Sequence, residues 1–151
     1  MNAPFHRSLD PVARAAVVGF VTVVADQVTK SAASAVAGGL HNRAIVPVRN
    51  HEFSLGIASA SLPVMLLLMV AGIIGLGSHL MRASARGRVP AWVTGLILGG
   101  AISNLLDRLV GGSVRDFLAT PWIVLNVADL AVVVGLASWA VAGHHRPASR
   151  R

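Results

Sequence analysis

The stretch GGAISNLLDRLVGGSVRDFLATPWIVLNVAD, residues 99–129, sets three acids, two asparagines and two arginines within and beside apolar runs. Polar residues at that density in an apolar setting are costly and need a cause. On a helix, Asn104 and Arg108 are four residues apart and share one face, with Asp107 beside them. Asp116 follows in a Gly-containing connection, and Asp129 lies seven residues beyond Trp122, inside the next apolar run. Two carboxylates are therefore expected to meet at the mouth of a membrane bundle. A structural ion-pair and hydrogen-bond network between helices would account for any one of these acids, but not for the whole set.

Composition supports a membrane setting. Of 151 residues, 54% are hydrophobic and 13% charged, against about 25% charged in soluble domains, and the mean hydropathy is +0.68. The length suits a single membrane-embedded domain, 1–151, built from a few spans of about 20 residues each. The absence of cysteine excludes a disulfide framework, a thiol nucleophile and lipid attachment through sulfur. A net charge of +7 would suit nucleic acid, but the basic residues form no single block and no aromatic stacking platform accompanies them. No nucleic-acid partner is expected.

Those basic residues mark sidedness instead. Arg7 and Arg14 precede the first apolar run, Arg82, Arg86 and Arg88 follow the second, and Arg146, Arg150 and Arg151 end the chain. By the positive-inside rule these three regions face the cytoplasm. The expected fold is an all-α integral membrane protein with four transmembrane helices, at 13–35, 62–80, 89–109 and 122–141. A cytoplasmic tail, 142–151, follows. Both termini are then cytoplasmic, and the connections 31–61 and 110–121 face outward. A small extracytoplasmic β-rich segment is expected between helices 1 and 2, because residues 44–48 are β-branched around Pro47 and fit a short or edge strand. Asn50, His51 and Glu52 form the polar cluster of that segment, and by themselves fit turn residues on a solvated face.

Within the spans, Asp26 and Lys30 stand at i, i+4 in a polar turn that closes the first apolar run at 13–25, where acid-before-base order favours a local pair. A cleaved signal peptide also fits the basic start and the small triplet Ala33-Ser34-Ala35. Gly72, Gly75 and Gly77 are spaced for close helix contact in the second span. In the third, Gly95 and Gly99 make a small-xxx-small pair that Ser103 extends. His79 fits an interfacial residue, and Trp122 an interfacial aromatic anchor.

With this topology, Asp26, Asn50, Asp107, Asp116, Asn126 and Asp129 all lie towards the outer leaflet. Two carboxylates held close do not easily both ionise, so one keeps its proton near neutral pH. The ionised member can take a proton from water while the protonated one donates to the carbonyl under attack, the division of labour that peptide hydrolysis needs. Other hydrolytic chemistries fit less well, since HExxH, GxSxG and cysteine are all missing. Ser113 with Lys30, the sole lysine, remains a formal dyad. Proton relay through Asp116 and Asp129 in a transporter is a further alternative, although no repeated halves are visible.

The ordered motifs Asp26-Gln27-Val28-Thr29-Lys30, Val48-Arg49-Asn50, Gly99-Gly100-Ala101, Asn104-Leu105-Leu106-Asp107-Arg108, Val114-Arg115-Asp116-Phe117 and Asn126-Val127-Ala128-Asp129 resemble those of the bacterial lipoprotein signal peptidase (signal peptidase II) family of integral-membrane aspartyl peptidases. The resemblance implies cleavage of the signal peptide before the diacylglyceryl-modified cysteine of prolipoproteins, in the cytoplasmic (inner) membrane, by a monomer in contact with membrane lipids. It implies no cofactor and no metal. It aligns Asp116 and Asp129 with the catalytic pair, and Asn104, Arg108 and Asn126 with residues that bind substrate backbone or hold the site. Asn50 falls in the motif on the extracytoplasmic sheet, and Asp26 and Lys30 in supporting positions. Where the family has Asn-Thr-Gly followed by Ala-Phe, this chain has Asn50-His51-Glu52-Phe53 with its glycine at Gly56; Ser103-Asn104 replaces Gly-Asn, and Leu125-Asn126 replaces Phe-Asn. A divergent relative that binds lipidated or hydrophobic segments without cleaving them is the alternative.

The arginine distribution predicts topology directly. In this cysteine-free chain, Asn50→Cys and Gly112→Cys should react with an impermeant thiol reagent from outside, whereas Arg86→Cys and Arg150→Cys should not. Labelling at 86 without labelling at 112 would overturn the arrangement.

Overall fold

The computed structural model of the chain describes residues 9–36, 44–51 and 61–144. The described residues form, in the order α1-β1-α2-α3-β2-β3-α4, four helices, α1 Pro11–Val36, α2 Leu62–Ala85, α3 Ala91–Gly111 and α4 Val127–His144, and three strands, β1 Ile45–Asn50, β2 Val114–Ala119 and β3 Val124–Leu125. Three helices, α1, α2 and α3, are long and apolar enough to cross a membrane, and α4 carries a shorter apolar segment, Val127–Ala142. Within the span windows α3 is 50% buried, against 17% for α1 and α2, so it is the central helix, and it packs on the other three. The outer helix faces expose Phe20, Val21, Leu67, Leu68, Ile74 and Val133, side chains suited to lipid.

Glycine decides how closely α3 is approached. A Cβ on Gly99 would lie 2.6 Å from the Gly19 carbonyl oxygen, and one on Gly95 would lie 2.7 Å from that of Ala15, so α1 lies directly on this glycine surface. Gly100 faces α4 in the same way, with the Ala128 carbonyl oxygen 2.5 Å from its ideal Cβ position. Ser103 completes the α1 stripe and is fully buried. On α2 the expectation holds only in part. Gly77 meets Leu98, but Gly72 and Gly75 face open space, so their spacing reflects no helix contact.

The boundaries differ from the sequence reading for identifiable reasons. Residues 26–30 are interior to α1 rather than a turn, because the polar side chains there find partners on α3 and α4. The second span runs on to Ala85, and the third starts at Ala91 after Pro90 and ends at Gly112 in the left-handed conformation (φ 68°). The expected span 122–141 begins five residues late. Thr120 and Ile123 close a turn with Pro121 and Trp122 at its tip, and Val124–Leu125 is strand. Trp122 is 91% exposed there, on a hairpin and not on a helix.

The sheet is antiparallel, ordered β1-β2-β3. Among the described residues the connection between the first two helices contributes β1, the strand expected there. The other two strands lie between α3 and α4, which corrects the expected position of the β-rich segment. β1 is an edge strand, and its register breaks between Ile45 and Val48, around Pro47, where a missing N–H is tolerated. Glu52, Phe53 and Gly56, with the tail 145–151, lie outside the described residues.

Substitution on α3 should follow this geometry. Gly100→Val forces α4 away from α3 and should lower stability by about 1–3 kcal/mol. Gly72→Ala, which meets nothing within 4 Å, should be neutral or slightly stabilising. Unfolding midpoints in detergent check both.

Candidate active site

Two polar systems meet on α3. The first is a buried ion network joining α1, α3 and β2. The Lys30 ammonium lies 2.6 Å from Asp26 Oδ2 and 2.9 Å from Asp107 Oδ2, and donates to Asn104 Oδ1 at 3.1 Å. Arg115 reaches Asp107 Oδ1 through Nη2 (2.7 Å), and its backbone N–H donates to Asp107 Oδ2 (3.0 Å). Gln27 bridges, donating to Ser103 Oγ and Asp107 Oδ1 and accepting from Arg115 Nη2. Ser103 Oγ donates to Asp26 Oδ2 (2.7 Å), and Asp26 Oδ1 accepts the N–H of Ala128 at the start of α4 (2.8 Å). Two carboxylates and two cations balance, and Lys30 uses all three of its donors. Asp107 pairs with Lys30 and Arg115 rather than with its sequence neighbour Arg108. Ser113 donates instead to the Gly111 carbonyl oxygen (3.4 Å), so no Ser113–Lys30 dyad is assembled.

The second system holds the two remaining acids. Asp116 lies on β2 and Asp129 in the first turn of α4, and both line one cavity of about 270 Å³ with Asn50, Asn104 and Arg108. Asn126 precedes α4, and its Oδ1 accepts the Asp129 N–H (2.8 Å) while Asp129 Oδ2 accepts the Asn126 N–H (3.2 Å), a reciprocal capping box that fixes the Asp129 carboxylate at the helix start. The same amide's Nδ2 donates to Asp116 Oδ1 (2.6 Å) and to Asn104 Oδ1 (3.2 Å). Asn104 Nδ2 donates to Asp129 Oδ1 (2.8 Å), and Asn50 Nδ2 to Asp116 Oδ2 (3.0 Å). Each carboxylate thus accepts two hydrogen bonds while lining the cavity. The Arg108 guanidinium is buried, contacts Met65 Sδ through Nε (2.9 Å), and lies within electrostatic reach of Asp116 and Asp129.

Alternation along β2 separates the two systems. Arg115 turns to the ion network and Asp116 to the cavity, as successive strand residues must. Among the described residues no three His, Cys, Asp or Glu side chains converge in a metal-binding group.

Comparison with known proteins bears on this geometry. The family model for signal peptidase (SPase) II matches residues 18–143. The chain belongs to that family. Curated relatives called lipoprotein signal peptidase include one from Rhodopseudomonas palustris, 33% identical over 86% of this chain and 91% of its own length. Another, from Chlorobium luteolum, is 36% identical over 48% of this chain and 53% of its own length. A solved bacterial membrane enzyme shares the fold, with a TM-score of 0.70 and 19% identity over 91% of this chain and 94% of that one. A second has a TM-score of 0.69 and 21% identity, covering 88% and 94%.

Every site residue named from the sequence of this signal peptidase II family member falls in one of the two systems: Asn50, Asn104, Arg108, Asp116, Asn126 and Asp129 around the cavity, Asp26 and Lys30 in the network. Gln27, Ser103 and Arg115 were not singled out as site residues, although all three sit in or beside quoted motifs. Ser103 had a signal in the small-residue stripe of α3. The apolar walls, Met69, Ala101, Val114, Val124, Leu125, Val132 and Val133, carried no signal, since nothing distinguishes an apolar residue facing a cavity from one facing lipid.

Lys30→Met should be the most damaging change in the network. It leaves Asp26 and Asp107 buried without their shared cation, and breaking a buried pair in this way costs about 3–5 kcal/mol. Arg115→Gln should cost less, because the Arg115 side chain is 33% exposed. Denaturant unfolding of the purified variants would rank them; equal stability of Lys30→Met and the parent would refute the network's role.

Proposed function

We propose that the chain is an aspartic endopeptidase of the bacterial inner membrane that removes signal peptides from diacylglyceryl-modified prolipoproteins, cutting before the lipidated cysteine. Asp116 and Asp129 are the catalytic pair. The observation that carries this is Asn126, which binds both carboxylates, Asp116 through its side-chain amide and Asp129 through its backbone N–H, beside the one cavity that both acids line. In the reaction one carboxylate takes a proton from the attacking water as the other donates to the scissile carbonyl oxygen. The tetrahedral diol then collapses as the first carboxyl gives its new proton to the departing nitrogen and the second carboxylate takes a proton from a diol hydroxyl, which returns the pair to its starting state.

The remaining roles follow from position. Asn104, Asn126 and Asn50 orient the carboxylates, and Arg108 offsets their negative charge. Asp26 and Lys30 act one layer behind, through Asn104 and the N-terminus of α4. The apolar walls accept signal-peptide side chains beside the scissile bond. The whole chain is one membrane domain, monomeric, in contact with lipids and needing no cofactor. Its four helices cross the bilayer with both termini cytoplasmic and the sheet on the outer surface; α4 completes the fourth crossing despite its shorter apolar segment.

Asp116→Asn and Asp129→Asn should each lower cleavage by about 10² to 10⁴ while leaving a folded protein, since asparagine keeps the shape but cannot ionise or donate a carboxyl proton. The double variant should be hardly worse than either single one. Initial rates on a diacylglyceryl-cysteine peptide, with mass spectrometry to locate the cut, give the measurement. Robust cleavage by either single variant would remove the aspartic mechanism, and equal cleavage of the unlipidated peptide would remove the substrate assignment.

A further inference from the structure

At the opposite end of the bundle from the aspartates lies a second cavity, of about 590 Å³, roughly twice the size of the first. It is lined by His79, Arg82, Arg86, Arg88 and Trp139 over a floor containing Ala83 and Val89. Met69 borders the aspartate cavity, and Arg82 is 13 residues further along the same helix, about 20 Å at 1.5 Å per residue. We infer that this cavity binds the phosphate of an anionic phospholipid headgroup in the leaflet opposite the aspartates. The inference rests on α2, α3 and α4 lying in a bilayer; it does not depend on peptidase chemistry.

Positive charge near a membrane surface is ordinary, because sidedness requires it. A preformed concave site is not required for that purpose. Here the turn carrying the arginines is built rigidly. Gly87 adopts φ 65°, its N–H donates to the Ser84 carbonyl (2.9 Å), and the Arg88 N–H donates to that of Ala83 (2.8 Å). This paired closure of a helix C-terminus fixes the backbone of Arg86 and Arg88 on either side of the glycine. Beneath it the Ser84 and Thr94 hydroxyls, both buried, lie 2.7 Å apart and tie α2 to α3. Leu80, Ala83, Val89, Val93 and Ile97 pack into one core, with Trp139 against it.

The lining matches an amphipathic anion. Three guanidiniums and an imidazole border the cavity, with no carboxylate in its lining among the described residues, and guanidinium forks suit phosphate oxygens. Trp139 is half-buried and its ring lies 6.2 Å from that of His79, a place where an indole can bridge headgroup and acyl levels. Leu76 and Leu136 are exposed on the adjoining helices, so the route to the cavity along α2 and α4 is apolar and suits an acyl chain. A free phosphate ion would use the arginines alone. A phospholipid uses the arginines, the aromatic edge and the apolar flank together.

Native mass spectrometry of the full chain, equilibrated with equal phosphatidylglycerol and phosphatidylcholine of matched acyl chains, tests this. One phosphatidylglycerol should be retained about tenfold or more over phosphatidylcholine. Arg82→Gln/Arg86→Gln/Arg88→Gln should abolish the preference, whereas Arg14→Gln/Arg49→Gln should keep it. Excess inorganic phosphate should leave the lipid bound. Equal retention of the two lipids by the parent protein would overturn the inference however the variants fold. A preference that persists in the folded triple variant, or displacement of the lipid by inorganic phosphate alone, would overturn it as well.

Discussion

A single ammonium group, that of Lys30, determines how α1, α3 and α4 can be assembled. It is fully buried between α1 and α3, where an unpartnered charge is expensive. Its three donors are met by Asp26, Asp107 and Asn104, from two helices. Asp107 needs a second cation, which Arg115 supplies from β2, and Asp26 spends its other oxygen on the first turn of α4. The observed placement of these elements satisfies each of these partners, and the glycine surface of α3 lets α1 come close enough to adopt it. Among the described residues no buried side-chain nitrogen or oxygen is left without a hydrogen bond.

This division separates groups that hold from groups that can react. The carboxylates of Asp26 and Asp107 are taken up by Lys30, Arg115 and neighbouring hydrogen-bond donors, and neither lines the aspartate cavity. Those of Asp116 and Asp129 are held mainly by neutral amides and border a cavity. Amide donors orient a carboxylate without neutralising it, as a catalytic acid-base pair requires. Lys30 connects the two sets through Asn104, and Asp26 through the α4 N-terminus, so the supporting network positions both members of the pair without touching the cavity.

Much of the site was legible in the sequence because charged residues in apolar runs are rare and each demands an explanation. Asp26 with Lys30, Asn104 with Arg108, and Asn126 with Asp129 all stand at helical or capping spacings that local geometry dictates. The strands after α3 were not legible. Residues 112–126 mix turn formers such as Gly112, Ser113, Pro121 and Asn126 with short apolar runs, and β2 and β3 are stabilised by pairing with β1 and with each other rather than by their own propensity. For the same reason the start of α4 was misplaced: Val124 and Leu125 look like the first apolar residues of a helix until a partner strand claims their backbone hydrogen bonds.

The amino-acid sequence by itself determined that this is a membrane-embedded helical chain and which residues are polar where polarity is costly. Those properties depend on composition and short-range spacing, and so they survive without coordinates. Tertiary structure alone decided that Asp107 pairs with Lys30 and Arg115 and not with its neighbour Arg108, that Gly77 packs while Gly72 and Gly75 do not, and that Asn126, capped against Asp129, also reaches the Asp116 carboxylate with its side-chain amide. Each of these depends on which faces meet across residues distant in the chain. Ion pairs and close packing act over a few ångströms, and only the completed fold brings those groups within that range.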